Sequence, residues 1–583
     1  MTKYGLTTIV HQGLTGLLLL LLFAAPLLMR CVSGGEGYLV AATGIVAFVS
    51  LLLPVTPPGG RADRPATAAL RITAVDVAFL LCLGYMSLNL HRPIDTGLCA
   101  ELLTITGLWG ALRRPAAHRF RRWVAVGMVL SAVVQAFVAL LQYAGALPSL
   151  HPDFAVTGTF GNPGPLGGYL AMGLATLWPR VASGSDLNKW QRCALATSAL
   201  LLVAGLAVAD SRTAWLAAAL ALGVYHLRRP LERKRVAWPL LCGMAVLAVS
   251  AALALHSYRP ASADARLRVW DVCWRMVAEA PWTGQGTGGF ATAYMPAQTA
   301  AIATAPEERR RTADDVTAAF NDTLGTLCEQ GISGLLLAGG FIVTAGRSLW
   351  RHFRADARAT SFFPFLALLA FAQFSYPLSV WSLCAPFFAL TAAGLADERQ
   401  VAMPYGRPVV SSLSAVAILL LASGLALRVD AFRQLSRYCQ LETAQFPAAG
   451  CPATAWLVRH DPVLLAASAK AQQMTGNGPA AIMTLRRLLK YTDETHLRIA
   501  LGDAYAETGR YGAADSCYAK ACAMRPGLVT PAFARFQLWK DENPLRARRL
   551  AAAVVAMRPQ KENSKARAMK AEAKRYLDRC PAP

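Results

Sequence analysis

The sequence predicts an all-α protein: a polytopic bundle of membrane helices, a large polar loop between two of them, and a C-terminal helical domain. Of the 583 residues, 55% are hydrophobic and only 16% are charged, whereas soluble proteins carry about 25% charged residues. Apolar runs long enough to cross a bilayer recur through the first three quarters of the chain. From about Arg428 onward, amphipathic helical patterns replace these runs.

The apolar runs predict about 12–13 transmembrane helices, because each crossing needs roughly 17–25 apolar residues. The first run lacks a convincing cleavage site and is followed by further spans, which favours a retained helix over a signal peptide. This pattern divides the chain into spans 1–9 (1–256), the large loop (257–323), spans 10–13 (324–427) and the tail (428–583). The predicted spans are approximately Ile9–Leu28, Tyr38–Leu53, Ile72–Leu90, Leu98–Leu112, Trp123–Leu147, Leu166–Val181, Cys193–Ala209, Thr213–Tyr225, Ala237–Leu255, Leu324–Thr344, Ser361–Pro377, Leu378–Leu395 and Val410–Leu427.

Basic residues in short loops orient the bundle, because cytoplasmic loops are enriched in Lys and Arg. Three such loops fall on one side by helix parity, which we predict to be cytoplasmic. The stretch Pro148–Pro165 has no Lys or Arg and falls on the opposite side, with the large loop, Asp210-Ser211-Arg212 and the tail. The basic loops contain Arg113, Arg114, Arg119, Arg121 and Arg122; Arg228, Arg229, Arg233, Lys234 and Arg235; and Arg347, Arg351, Arg354 and Arg358.

Composition and motifs argue against several other functions. The net charge of +24 is largely a topology signal, and without a basic stripe of interleaved aromatics we predict no nucleic-acid binding. The 13 cysteines form no paired CxxC arrangement, so a structural zinc site is not expected. Gly284, Gly286 and Gly289 match GxGxxG, but no apolar strand precedes them, and we interpret them as a turn.

The tail contains a helical-repeat pattern. Its spacing is that of a tetratricopeptide repeat, in which small residues let two helices pack closely and a proline ends the second. A short helical array of this kind usually contacts a protein partner; the alternative is a packing cap on the membrane domain. The pattern consists of Leu501-Gly502, Tyr505, Gly509, Tyr511, Ala514, Tyr518, Ala521 and Pro526.

Three arginines on the predicted non-cytoplasmic side are candidate anion ligands. Arg212 lies in a short break between two apolar runs, where an arginine either snorkels to the surface or has a function. Arg266 and Arg268 add fixed positive charge in the large loop. Together they could clamp a diphosphate, whose negative charge grows as it leaves. No acidic cluster suggests a metal, so we predict a clamp without metal or cofactor.

Other polar residues near these arginines are candidate site residues. Thr159 and Asn162 lie in a glycine-rich turn, where they bond backbone groups or face a sugar or phosphate. Asn321 and Glu329 straddle the start of the span after the loop, about two helical turns apart and near one face. Trp270 and Tyr294 belong to the large loop, and we include them as candidate substrate-binding residues with Arg268, Thr159 and Asn162.

In this order, the segments resemble the O-antigen ligase and polymerase family of membrane glycosyltransferases. The resemblance covers roughly residues 150–345 and is carried by four blocks: Gly158–Pro163, Asp210–Ala214, Arg266–Phe290 and Phe320–Gly331. It implies a GT-C-like fold in the bacterial inner membrane, with a site facing the periplasm. It also implies a polyprenyl-diphosphate-linked glycan donor and a hydroxyl acceptor such as lipid A–core. The diphosphate ligands carry over to Arg212 and Arg266, and Arg268 is matched less closely.

One position departs from the family pattern. The family commonly has His-Asn before the span that follows the loop, and here Phe320 precedes Asn321. Phenylalanine cannot accept a proton, so three explanations stay open: the acceptor needs little activation, Glu329 or Asp315 substitutes, or activity is lost. Catalytic roles are therefore predicted for Arg212, Arg266, Asn321 and Glu329.

Four functions remain open from the sequence. A ligase that attaches glycan to lipid A–core is favoured, and a polymerase or a protein O-glycosylation ligase would use the same donor chemistry. A transporter also fits a many-span layout. Transporters favour ionisable groups at mid-membrane, whereas here Asp76 and Glu101 are the main ones. The extracytoplasmic position of the polar segments favours the enzyme.

Overall fold

The computed structural model describes most of the chain. It covers residues 3–28, 35–53, 70–113, 121–183, 187–231, 260–356, 361–395, 401–403, 406–441, 452–560 and 562–579. The predicted span Ala237–Leu255 and the start of the large loop lie outside these residues.

A helix occupies every predicted span within the described residues. Five helices in these ranges are long and apolar enough to cross a membrane, and four shorter apolar helices accompany them. The chain is therefore a polytopic helical membrane protein, while the total of 12–13 spans stays a prediction. The membrane-domain helices are α1 (Lys3–Leu28), α2 (Gly35–Leu52), α3 (Ala74–Leu88), α4 (Thr96–Arg113), α5 (Arg121–Tyr143), α6 (Pro163–Ser183), α7 (Lys189–Ala209), α8 (Arg212–Leu231), α12 (Asp322–Ala355), α13 (Phe362–Ala372), α14 (Trp381–Gly394) and α15 (Gly406–Leu441).

One end of the bundle is closed by two short strands and a buried ion pair, neither of which the sequence predicted. Strand β1 (Leu70–Ile72) pairs antiparallel with β2 (Val401–Met403). Arg113 bonds the carboxylate of Asp76 at 2.8 Å and also the carbonyl of Leu395. Two buried charges are tolerated here because each has several polar partners. Arg113 opens a predicted cytoplasmic loop, so this is the basic end of the bundle.

The large loop is a folded helical module on the opposite end, which we call the loop module (residues 260–321). It consists of α9 (Pro260–Glu279), α10 (Phe290–Ala303) and α11 (Glu307–Arg311). Its apolar core is continuous with the first turns of α12. The core contains Val269, Val272, Cys273, Met276, Phe290, Tyr294, Met295, Val316, Leu324, Leu327 and Cys328.

The turn at residues 284–289, which we call the glycine-rich turn of the loop module, docks on a kink in α12. Gly331 has φ 62° and ψ −166°, which interrupts the helix. The freed backbone pairs with the turn: the Gly286 amide donates to the Glu329 carbonyl at 2.8 Å, and the Ile332 amide donates to Pro281 at 2.8 Å. The Thr287 amide donates to the carbonyl of Asn89, just after α3, at 2.7 Å. The GxGxxG segment thus joins helices and is not preceded by a described strand.

The tail is built from antiparallel helix pairs. They are α17 (Pro462–Met474) with α18 (Gly478–Leu488), α19 (Thr495–Glu507) with α20 (Tyr511–Met524), and α21 (Val529–Trp539) with α22 (Pro544–Ala556), flanked by α16 (Pro452–His460) and α23 (Ser564–Arg579). Gly502 lies directly against the Tyr518 ring, which agrees with the predicted repeat spacing. The tetratricopeptide assignment itself stays a prediction. Helix α15 runs unbroken across the predicted boundary at Arg428, because its last turns pack on α16 and α17.

The tail packs on the loop module, so both lie on one face of the membrane domain. Arg525 forms ion pairs with Asp314 at 2.7 Å and Asp315 at 3.0 Å. The amide of Asp493 donates to the carbonyl of Ala291 at 3.1 Å. The parity argument predicts that both lie on the non-cytoplasmic side, and that side stays a prediction.

Candidate functional site

The break between α7 and α8 places Arg212 at the end of the bundle that carries the loop module. Asp210 ends α7 in the left-handed conformation, with φ 48°. Ser211 is buried against Gly167 of α6, where even a methyl group would overlap it. The start of α8 therefore lies close against α6. Arg212 is the first residue of α8.

Arg266 of α9 extends toward the same position. Burial lowers the pKa of the Arg266 guanidinium, and the charge of Arg212 lowers it further. Its Cζ atom lies 6.0 Å from the centre of the Phe320 ring, within range of a cation–π contact. Two arginines that are far apart in the chain are thus electrostatic neighbours.

Asn162 and Tyr376 complete this group. The side-chain amide of Asn162 donates to the Tyr376 hydroxyl at 3.3 Å. The Tyr376 ring meets the Phe320 ring edge to face, with centroids 5.3 Å apart. We call these five residues (Asn162, Arg212, Arg266, Phe320 and Tyr376) the arginine cluster. They come from separate segments that converge at the base of the loop module.

The segment before α12 presents Phe320 to the cluster. Phe320 has φ 52°, an uncommon conformation for a residue with a side chain. Asn321 caps the helix, since its side-chain oxygen accepts the Leu324 amide at 2.9 Å. The indole of Trp270 donates to the Ala319 carbonyl at 3.0 Å and holds the same segment. Asn321 and Trp270 therefore have structural roles beside the cluster.

The two carboxylates that could replace the missing histidine are both engaged by protein groups. Glu329 accepts the Phe290 amide at 3.2 Å and thereby fastens the glycine-rich turn to α12. Asp315 accepts the Thr495 hydroxyl at 2.6 Å and pairs with Arg525 of the tail. These contacts indicate anchoring roles for both carboxylates and leave them with no described contact to the arginine cluster.

Three other predicted site residues make their described contacts outside the cluster. The Thr159 hydroxyl bonds the Pro26 carbonyl at 2.5 Å and also Gln135, which fixes the turn to α1 and α5. Arg268 is two residues from Arg266, and such residues point to different sides of a helix. Burial raises the pKa of Tyr294, and the charge of Arg268 opposes this rise. The Tyr294 hydroxyl donates to Gln298 of the same helix at 3.2 Å.

Residues 197–339 match the family model Wzy_C, described as O-antigen ligase. The O-antigen ligase resemblance is confirmed over this segment. It contains Arg212, Arg266 and Phe320, and it ends before Tyr376 and the tail. No curated protein matches the chain. In the described part of the chain, no group of three or more His, Cys, Asp or Glu is placed to hold a metal ion, and the metal-free clamp stays a prediction.

Tyr376 was missed by the sequence analysis. The predicted spans Ser361–Pro377 and Leu378–Leu395 left no loop between them. In the structure, α13 ends at Ala372 and α14 begins at Trp381. A signal was present, because Gln373, Ser375 and Tyr376 interrupt the apolar run just before a proline.

Proposed function

We propose that the chain is a membrane glycosyltransferase of the O-antigen ligase type. It transfers a polyprenyl-diphosphate-linked glycan to an acceptor hydroxyl, such as one on lipid A–core. The observation that carries the proposal is the convergence of Arg212 and Arg266 within the family-matched segment. Holding two like charges together in a partly buried position costs free energy, which a bound anion offsets.

A diphosphate suits this pair of arginines. Each guanidinium presents a planar fork of donors that matches two phosphate oxygens. Arg212 is also the first residue of α8, and the amide groups and dipole at a helix N-terminus favour anions. A cation at that end is unfavourable by itself. The site therefore has the electrostatic character of an anion-binding site.

The chemistry needs positive charge at the leaving group. The acceptor oxygen bonds to the anomeric carbon, the bond from that carbon to the diphosphate oxygen breaks, and the hydroxyl proton is released to water. The departing diphosphate gains negative charge, which Arg212 and Arg266 stabilise without rearranging. Phe320 takes no proton, and a weakly activated acceptor is tolerated because the sugar develops oxocarbenium-like character. The family resemblance implies inversion and no metal.

The reaction is assigned to the periplasmic side of the bacterial inner membrane. The arginine cluster and the basic loops lie at opposite ends of the bundle, and the positive-inside rule places the basic end in the cytoplasm. Charges clustered at one face favour an enzyme over a transporter, whose ionisable groups concentrate at mid-membrane. Asp76, an ionisable group within a span, is already paired with Arg113.

Alanine substitutions of the two arginines test the proposal. We expect Arg212→Ala and Arg266→Ala each to abolish laddered glycan on surface lipopolysaccharide, at equal protein expression. Arg275→Ala is the matched control, because this arginine lies on the same helix but is 58% exposed and pairs with Asp271 at 3.8 Å. Intact ladders in both clamp variants would contradict the proposal.

The phenotype of the inactive variants separates the related activities. If the donor accumulates and the acceptor stays unmodified, the protein is a ligase. If single glycan units are still attached, it is a polymerase. Loss of glycan from a protein instead of a lipid indicates a protein O-glycosylation ligase.

A further inference from the structure

We propose that the Tyr376 hydroxyl donates a hydrogen bond to the diphosphate of the donor, as a third ligand beside Arg212 and Arg266. This inference rests on the proposed function and names a further residue of the same site. Tyr376 lies beyond the family-matched segment, in the short connection between α13 and α14.

The hydrogen-bond network fixes which group donates. The Asn162 side-chain oxygen accepts the Gly164 amide at 2.9 Å, and a backbone amide can only donate. The nitrogen end of the Asn162 side chain therefore faces Tyr376, to which it donates. A tyrosine hydroxyl can accept one bond and donate another. Its proton is thus left for a different acceptor.

No other group in the arginine cluster is available to accept this proton, because the Asn162 side-chain oxygen already accepts the Gly164 amide. Guanidinium groups carry only donors, and the Phe320 ring is apolar. Donors from Arg212, Arg266 and Tyr376 thus converge in one cluster, whose other two members are the Phe320 ring and Asn162, itself a donor to Tyr376. This donor-only composition suits an oxyanion with several oxygens, such as a diphosphate. A neutral sugar hydroxyl would need acceptors as well.

The hydroxyl is protonated at physiological pH, as a donor must be. Burial raises the pKa of Tyr376, and the opposing effect of Arg266 is smaller. Both the position and the protonation of this residue argue for hydrogen-bond donation and against a role as general base.

The backbone around Tyr376 is held in place before any ligand binds. The Leu378 amide donates to the Asp322 carboxylate at 3.0 Å, which ties the connection to the start of α12. The Tyr376 ring itself is held by its edge-to-face contact with Phe320. A donor held in this way loses little conformational freedom on binding.

Binding of glycan-free undecaprenyl diphosphate to the full-length protein in lipid nanodiscs tests the inference. Tyr376→Phe removes only the hydroxyl, and we expect about 10- to 100-fold weaker binding, the range for a lost hydrogen bond to a charged group. Tyr169→Phe is the matched control: this tyrosine is also buried, but its hydroxyl donates to Ser131 at 2.8 Å. We expect that variant to bind like the wild type. Thermal unfolding checks that each variant is folded.

Asn162→Asp gives a second, independent readout. It replaces the amide donor by a carboxylate, which accepts the Tyr376 proton and withdraws it from the ligand. We expect a loss of binding at least as large as that of Tyr376→Phe, and no further loss when Tyr376→Phe is added.

The outcomes separate this inference from the proposed function. If Tyr376→Phe binds like the wild type while Arg212→Ala and Arg266→Ala lose binding, the inference is overturned and the clamp stands. If the wild type does not bind undecaprenyl diphosphate, both are overturned.

Discussion

The arginine cluster brings two positive charges close together in a partly buried position. Burial and the neighbouring Arg212 both disfavour the charged form of Arg266. Such an arrangement is characteristic of a binding site whose ligand supplies the opposite charge.

Asn321 tests whether a predicted catalytic residue acts only as a helix cap. We expect Asn321→Ala to lower the free energy of unfolding by about 1 kcal/mol, because the Leu324 amide loses its partner. Asn321→Asp and Asn321→Ser keep an N-cap acceptor and should retain both stability and glycan attachment. Thermal unfolding and the lipopolysaccharide gel measure the two effects. A stable Asn321→Asp variant without activity would assign the side chain a role beyond capping.

The sequence indicated the two arginines but not most of their surroundings. Arg212 and Arg266 were predicted because charge on the non-cytoplasmic side is rare and because the family pattern matches there. The contact of Tyr376 with Asn162 and that of Gln135 with Thr159 were not predicted, because each joins segments that are separated in the chain. Hydrophobic periodicity reports which face of a helix is buried, and it contains no information about which polar groups meet.

At the scale of secondary structure, the loop module is attached to the membrane domain at the kink in α12. A side chain at Gly331 would overlap the backbone of Trp282, and its φ of 62° disfavours any residue other than glycine. A side chain at Gly284 would overlap the backbone of Glu329 in the same way. The two glycines let the turn and the helix approach closely enough to exchange backbone hydrogen bonds.

A matched pair of substitutions in α12 tests this role. We expect Gly331→Ala to destabilise the protein by several kcal/mol, because steric overlap adds to backbone strain. Gly339→Ala, in the same helix with open space around it, should be neutral or stabilise the protein by about 0.5–1 kcal/mol. Thermal unfolding in detergent compares the variants. Equal stability of the two would show that the kink is not needed to dock the turn.

Helix positions were predictable from the sequence, and the loop module was not. Apolar runs about a bilayer thick identify spans by themselves, and each described span is a helix. Residues 260–321 lack such runs, so their helices were interpreted as a loop. Strands β1 and β2 are only three residues long, too short for a period-two pattern to distinguish them.

At the scale of the whole molecule, the tail is joined to the loop module by charge and by apolar packing. Met524 of α20 belongs to the core of the loop module. Asp314 and Arg525 also line a cavity of about 310 Å³ between the two parts, together with Asp153 of the turn before α6. The tail therefore packs on the loop module. Its use as a site for a protein partner stays a prediction.

Arg525 is the residue whose removal should loosen the tail. We expect Arg525→Ala to cost about 1–3 kcal/mol, because Asp315 then remains partly buried without its cation. Hydrogen exchange of residues 290–316 should accelerate. Lys540→Ala is the control, since its pair with Glu572 spans 3.7 Å within the tail. Unchanged exchange in the loop module of Arg525→Ala would mean that apolar packing alone holds the tail.

The central claim is that Arg212 and Arg266 bind one diphosphate together. A double-mutant cycle on the affinity of the full-length protein for undecaprenyl diphosphate tests it most directly. We predict that each alanine variant weakens binding by about 10- to 100-fold, and that the double variant loses less than the product of the two losses, because the arginines share a ligand. Affinity that is unchanged in both single variants would contradict the account.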